Sequence, residues 1–349
     1  MQYKEIKDIL ILMPDKHMGN LVVSIPAIRS IRESFKDTRV HLLVDDAYIE
    51  IVETIGLDTL IQYPRRQLRR GSMGERLMAY IRLINHIRDT NPDITIDLEG
   101  REYSSLLAYL SGAPIRYGPV TSKRVFFYNR KVSIPDHKHK IFKYLAIASS
   151  LGAIARTGFD LKPSDERRAS LWQKLKDYGV DLDRPIVCIH PSAGKVYKQW
   201  SLEGFAEISD WLTTKGLQVV FIGSNKDIDE IKRIEAMTKN HPHNMAGRLS
   251  LGELMALFGL SSLFIGNDSG PMHLAVAVGL PVIALFGPAD ERRWGPLSNR
   301  AIILRGDEPC ERCKGRHCEY EFRCIRRLSP DDVKNAVRML LRMGERVAE

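Results

Sequence analysis

Nowhere in the 349 residues is there a run of about eighteen uncharged apolar side chains, so the sequence offers no membrane-spanning helix. The opening stretch, MQYKEIKDILILMPDK, lacks the layout of a secretory signal, and the expected location is cytoplasmic. Cysteine is scarce, with five in all, and four of them crowd between Cys310 and Cys324 in a chain too long to need disulfide staples. Neither G-x-G-x-x-G nor G-x-x-x-x-G-K-[ST] occurs, which excludes the nicotinamide-type fingerprint and the nucleoside-triphosphate loop. Helix-turn-helix and zinc-finger spacings are missing, as is the interleaving of basic and aromatic residues typical of RNA-binding sheets, so no nucleic-acid partner is expected. No short-period repeat or low-complexity tract appears.

What is present is 44% hydrophobic side chains, enough at this length for substantial cores in two domains. The buried-strand run ILILM at Ile9 to Met13 leads to a loop carrying Asp15, Lys16, His17, Gly19 and Asn20, then a helix. Strand-like VHLLV, a helix near Tyr48 to Ile55, TLIQY, an arginine-rich loop, an amphipathic helix to about Thr90 and a strand at Asp93 to Leu98 follow. From about Ala155 to Arg184 the pattern loosens, with one helix near Arg167 to Tyr178, and it restarts with IVCIH, LQVVFIG and LFIG separated by helices. Such alternation predicts an α/β chain of two similar halves, each a parallel sheet with helices on both faces and ligand sites at the carboxyl ends of the strands.

The stretch Ile265 to Pro288, IGNDSGPMHLAVAVGLPVIALFGP, reads as strand end, turn, short helix and buried strand. The helix would start at Gly270-Pro271 and stop at Gly279. Its free opening amides suit a phosphate or carboxylate, while Asp268 and Ser269 suit plain capping equally well. His273, one turn in, reads either as a packed side chain or as a contact to phosphate. The loop after IVCIH carries Ser192, Lys195 and Lys198 before a helix capped by Ser201, and a doubly wound sheet brings it to the same edge as Asp268. After the next strand, Asp227 is placed to accept a ribose hydroxyl or to favour a helix start.

The formal net charge of +9 suggests an acidic partner. Seven arginines, at 65, 66, 69, 70, 76, 82 and 88, face one acid, Glu75, between positions 65 and 88. Arg65, Arg66, Arg69 and Arg70 are therefore the candidates for meeting that acidic partner, a solvated helix face being the plain alternative. Cys310, Cys313, Cys318 and Cys324 supply four thiols, yet only the first two have the C-x-x-C spacing of a structural zinc site. Local stapling is the expectation, and no metal is assigned.

Asp268-Ser269-Gly270 followed by Met272-His273-Leu274-Ala275, Gly279, Pro281 and Phe286-Gly287-Pro288 resembles the signature of the heptosyltransferase family, glycosyltransferase family 9. HPSAGKVYKQWSLEGFAEI resembles the family's nucleotide-side loop, Met18 to Arg32 its first loop and helix, and DLEGREYSSLLAYLSGAPIRYG a mid-domain segment. The resemblance implies a GT-B fold, two Rossmann-like doubly wound domains with a cleft between them. Residues 1–160 would bind acceptor, 161–184 link, 185–329 bind a nucleotide-sugar, and 330–349 form a helix packing back toward the first domain. It further implies inverting, metal-independent transfer, most simply of heptose from ADP-heptose, with the nucleotide-sugar as substrate and no cofactor. The partner would be an anionic lipopolysaccharide-core glycolipid, met by peripheral contact with the inner membrane. Where the family's first loop reads Gly-Asp, with the aspartate as base, this chain has Gly19-Asn20. Asp15, or else His17, is the candidate replacement. A catalytically silent homologue that holds nucleotide-sugar or glycolipid, and another GT-B enzyme such as a sugar-nucleotide epimerase, are the competing readings.

Overall fold

The computed structural model describes residues 6–134, 139–306, 318 and 321–345, with side chains as far as Leu341. It divides between Phe159 and Asp160 into two compact units. The first runs β1 (Asp8–Met13), α1 (Met18–Ser34), β2 (Arg39–Asp45), α2 (Ile49–Val52), β3 (Thr59–Tyr63), α3 (Arg65–Arg70) and α4 (Met73–Asp89). It continues through β4 (Ile94–Asp97), α5 (Glu102–Leu110), β5 (Ile115–Pro119), β6 (Arg130–Val132) and α6 (Ile141–Ser150). All six strands are parallel, in the order β3-β2-β1-β4-β5-β6. Every side chain of β1 is buried, as expected for a strand covered by helices on both faces.

The second unit runs α7 (Asp165–Asp177), β7 (Ile186–His190), α8 (Leu202–Thr214), β8 (Gln218–Phe221), α9 (Ile228–Glu235), β9 (His243–Asn244) and α10 (Leu251–Leu260). Then come β10 (Leu263–Asn267), α11 (Gly270–Val278), β11 (Val282–Leu285), α12 (Glu291–Trp294), β12 (Ala301–Leu304), α13 (Arg323–Arg326) and α14 (Pro330–Glu345). Its strand order, β12-β11-β10-β7-β8-β9, repeats that of the first unit, again all parallel. In each sheet the chain winds one way from the first strand and then the other. The reversal points lie between β1 and β4 and between β7 and β10, the place where doubly wound sheets characteristically bind their ligands.

One local feature departs from expectation. The arginine-rich segment is not a loop: Arg65–Arg70 is a short helix, and a capping box at Ser72 and Glu75 starts α4 just after it. The helix expected near Arg167 to Tyr178 is α7, tied to α10 where Ser170 Oγ and Lys174 Nζ donate to the two oxygens of Glu253 at 2.6 and 2.7 Å. The apolar residues Val333, Ala336, Val337 and Leu340 of α14 are buried in the core of the second unit, among Ile208, Leu212 and Ile325. An amphipathic helix packs on the nearest uncovered apolar surface, and here α8 and the sheet edge at β11 and β12 supply it.

Candidate functional site

In the second unit the loops after β7 and β10 converge. Lys198 Nζ and Asp268 Oδ2 form a 2.5 Å ion pair in which the aspartate is buried and the lysine partly exposed. Asn267, fully buried at the end of β10, accepts from the Trp200 amide at 3.1 Å and donates to the Pro191 carbonyl. One amide side chain thus fixes the span between the two strands. Trp200 is a core anchor, its Nε1 donating to the Leu328 carbonyl at 2.9 Å.

The capping alternative for Asp268 and Ser269 fails. Ser269 occupies the N-cap position of α11 but makes no capping bond; its Oγ meets His190 Nδ1 at 3.1 Å, and Asp268 is engaged with Lys198. The opening amides of α11 are therefore left without a side-chain partner, next to a lysine, in the arrangement that favours a bound anion. Burial pulls the His190 ring down to about 4 against the charge of Asp227, so it is neutral at physiological pH. Gly279 closes the helix at φ +89°, a conformation that a side chain would strain.

The remaining donor candidates scatter around this centre. Ser192 Oγ donates to Glu230 Oε2 at 3.2 Å, and Gln199 Nε2 reaches the same oxygen at 3.3 Å. A cavity of about 520 Å³ opens there, bounded by Trp200, Ser201, Glu230, Arg233 and Arg326. Lys195 is exposed. Asp227 turns back on its own loop, accepting from Ser224 N and Oγ at 2.6 and 2.7 Å. His273 is buried with its ring edge-on to Trp294.

In the first unit Asp15 sits in the loop after β1, its side chain only 4% exposed. Oδ1 accepts from the His17 amide and faces His17 Nδ1, both at 2.9 Å, while Oδ2 accepts from Asn20 Nδ2 at 2.6 Å. The His17 ring itself is 57% exposed. Three donors on one carboxylate hold it in place at the mouth of the sheet. Asn20 Oδ1 is buried with no hydrogen-bond partner.

Arg65 is a correction to the acceptor set. Its guanidinium lies over the rings of Tyr63 and Tyr103, pairs with Asp45 at the end of β2 and donates to the Pro14 carbonyl. It braces the Asp15 loop rather than offering a free charge. Arg66, Arg69 and Arg70 are exposed, and a depression of about 490 Å³ between α3 and α4 is lined by Arg66, Arg70, Glu75 and Arg82. On α4, Met73, Leu77, Met78 and Ile81 are also exposed, Met73 at 87%.

The sequence reading passed over Glu99 and Tyr103. Glu99 lies in the loop after β4, across the reversal point from Asp15, and burial pushes its carboxyl up to about 8; Asp15 and Asp97 add to the rise, while Tyr103 and Arg101 oppose it. Their position just past a strand end, in DLEGREY, is the signal that marks them. Among the described residues no group of three or more histidine, cysteine or acidic side chains is placed to hold a metal. Cys318 is half-buried and Cys324 buried, and Cys310 and Cys313 lie outside the described residues, so the zinc question falls there too.

Comparison with known proteins agrees with this layout. The model of the family described as glycosyltransferase family 9 (heptosyltransferase) matches residues 80–322. The lipopolysaccharide core heptosyltransferase OpsX of Haemophilus influenzae is 24% identical over 289 residues, covering 81% of this chain and 80% of its own. A glycosyltransferase family 9 structure from Veillonella parvula superposes with a TM-score of 0.86 at 23% identity, covering 96% and 97% of the two chains. The ADP-heptose lipopolysaccharide heptosyltransferase II of E. coli gives 0.79 at 20% identity, covering 97% and 99%. These likenesses establish a GT-B fold of two Rossmann-like domains.

Proposed function

The chain belongs to glycosyltransferase family 9, and on that premise we propose that it transfers a heptose from ADP-heptose to a lipopolysaccharide-core glycolipid, with inversion and without a metal. The observation that carries the donor half is the uncapped start of α11 with Lys198 beside it. As the sugar leaves, negative charge grows on the diphosphate. Fixed amides and an ammonium group stabilise that charge most where it develops, which is the task a metal performs elsewhere. The cavity beside Glu230 has room for the nucleoside portion.

Inversion requires one displacement at the anomeric carbon and a base for the acceptor hydroxyl. Asp15 fills that role: it is ordered, hydrogen-bonded and set at the reversal point of the first sheet. Asn20 cannot take the proton, and it serves by holding Asp15 through its amide. A second reading has its own support, because Asp15 is buried while the His17 ring is exposed and joined to it through Nδ1. In that case His17 Nε2 meets the hydroxyl, and Asp15 orients the ring and stabilises its charged form.

The acceptor is an anionic glycolipid in a membrane. Arg66, Arg69 and Arg70 would meet its phosphates, and the exposed apolar residues of α4 would enter the lipid interface next to them. Among the described residues no helix is long and apolar enough to cross a membrane, so contact would be peripheral. The test is product analysis with ADP-heptose and a core-lipid acceptor. Elongated glycan with release of ADP in equal amount is the expected result; ADP binding without product would favour a silent binding protein, and an altered sugar-nucleotide without transfer would favour an epimerase.

A further inference from the structure

Tyr103 has one hydroxyl proton and two neighbours that read as acceptors. Its oxygen is 3.0 Å from the Pro14 carbonyl and also hydrogen-bonded to Glu99 Oε1. A carbonyl can only accept, so both bonds form at full strength only if Tyr103 donates to Pro14 and Glu99 donates to Tyr103. Glu99 must then carry the proton. Its surroundings fit a neutral carboxyl: it is 6% exposed, Oε2 is buried without a partner, and Asp15 and Asp97 press on it with negative charge. The opposing charges are Arg101, whose Nε is 3.2 Å from Oε1, and Lys143, whose Nζ is bonded to the Glu99 main-chain carbonyl at 2.9 Å. Gly100, at φ +73°, and the bond from its amide to Asp97 Oδ1 fix the turn that aims Glu99 inward.

We propose that Glu99 is a positioning residue for the base: it keeps a proton in the resting protein, donates it to Tyr103, and so frees the Tyr103 proton to pin Pro14, next to Asp15. Pro14 receives two donors in this state, Tyr103 from α5 and Arg65 from α3. Loss of the Glu99 proton to solvent turns the carboxylate into a competitor for the Tyr103 proton, and the loop keeps only Arg65. The neutral carboxyl also leaves Asp15 free of a second adjacent anion. This inference rests on the assignment of Asp15 as the base or its partner.

Two arms test it. In the first, infrared spectroscopy of protein carrying 13C-labelled glutamate looks for a protonated carboxyl band at about pH 7 that fades toward about pH 9 and is missing from Glu99→Gln. No such band, or an identical one in Glu99→Gln, overturns the proposal without any substrate. In the second, Glu99→Gln, whose side chain keeps a donor and carries no charge, is compared with wild type for turnover. The expected result is kcat within about threefold of wild type at pH 7, and no alkaline decline near pH 8 where wild type falls. A variant whose profile runs parallel to wild type, or one that is folded and inactive at pH 7, contradicts it. Absence of turnover in wild type would refute heptosyl transfer instead, and the spectroscopic arm still decides Glu99.

Discussion

Asn20 Nδ2 donates to Asp15 Oδ2 at 2.6 Å, so the amide that stands where the family resemblance implies a base serves the carboxylate five residues before it. The bond sets the orientation of the Asp15 carboxylate. Replacing the amide by a second carboxylate would put two like charges at hydrogen-bond distance, where they cannot both ionise freely. Asn20→Asp should therefore move the acid limb of the kcat profile upward by about one pH unit or more, and an unshifted limb would show that the two side chains do not interact.

Lys198 bridges to Asp268 at the edge where the diphosphate is proposed to lie. Lys198→Met removes one charge-assisted contact and leaves a buried anion facing the phosphates. The dissociation constant for ADP, measured by calorimetry, should rise by about 10- to 100-fold. An unchanged constant would move the phosphates away from this loop.

The arginines divide by what they touch. Arg66→Glu, Arg69→Glu and Arg70→Glu combined should weaken binding to anionic vesicles by at least about tenfold while ADP affinity holds, because these side chains are exposed. Equal loss of both affinities would indicate misfolding. Arg65→Ala should instead lower stability, by about 1–3 kcal/mol in urea unfolding, since it leaves Asp45 and the Pro14 carbonyl short of a donor.

Glu99 also predicts a stability profile. Unfolded, it ionises near its ordinary value of 4.5; folded, it holds its proton to about 8. Between those values the unfolded chain binds fewer protons, so stability falls as pH rises and levels off above about 8. Glu99→Gln lacks this slope, and its advantage over wild type should grow by about 1.4 kcal/mol per pH unit across the window as an upper bound. Urea midpoints at pH 5 and pH 8 measure it. A constant difference would mean that Glu99 is ionised in the folded protein.

Much of the layout is legible in the sequence because it is local. IVCIH is a buried strand by its composition alone, and Pro271 and Gly279 bound α11 by backbone chemistry that any fold would respect. What escaped is long-range. Whether Ser269 caps its helix depends on His190, 79 residues away, and the task of Arg65 depends on Pro14, 51 residues away. The Tyr103 bond to Pro14 spans 89 residues. Hydrophobic periodicity states which face of α14 is apolar and is silent about which sheet edge lies uncovered to receive it. The arginine segment shows the same limit: of four neighbouring side chains of one type, Arg65 is paired at the end of β2 and the other three are exposed, a division set by which of them turns toward that strand.

The central claim is that Asp15, directly or through His17, removes the acceptor proton. Its most direct test is the turnover number of Asp15→Asn with ADP-heptose and core-lipid acceptor, measured beside ADP affinity in the same preparation. The predicted result is a fall in kcat of at least about 100-fold with ADP affinity unchanged. Wild-type turnover in Asp15→Asn would contradict the claim and place the base elsewhere.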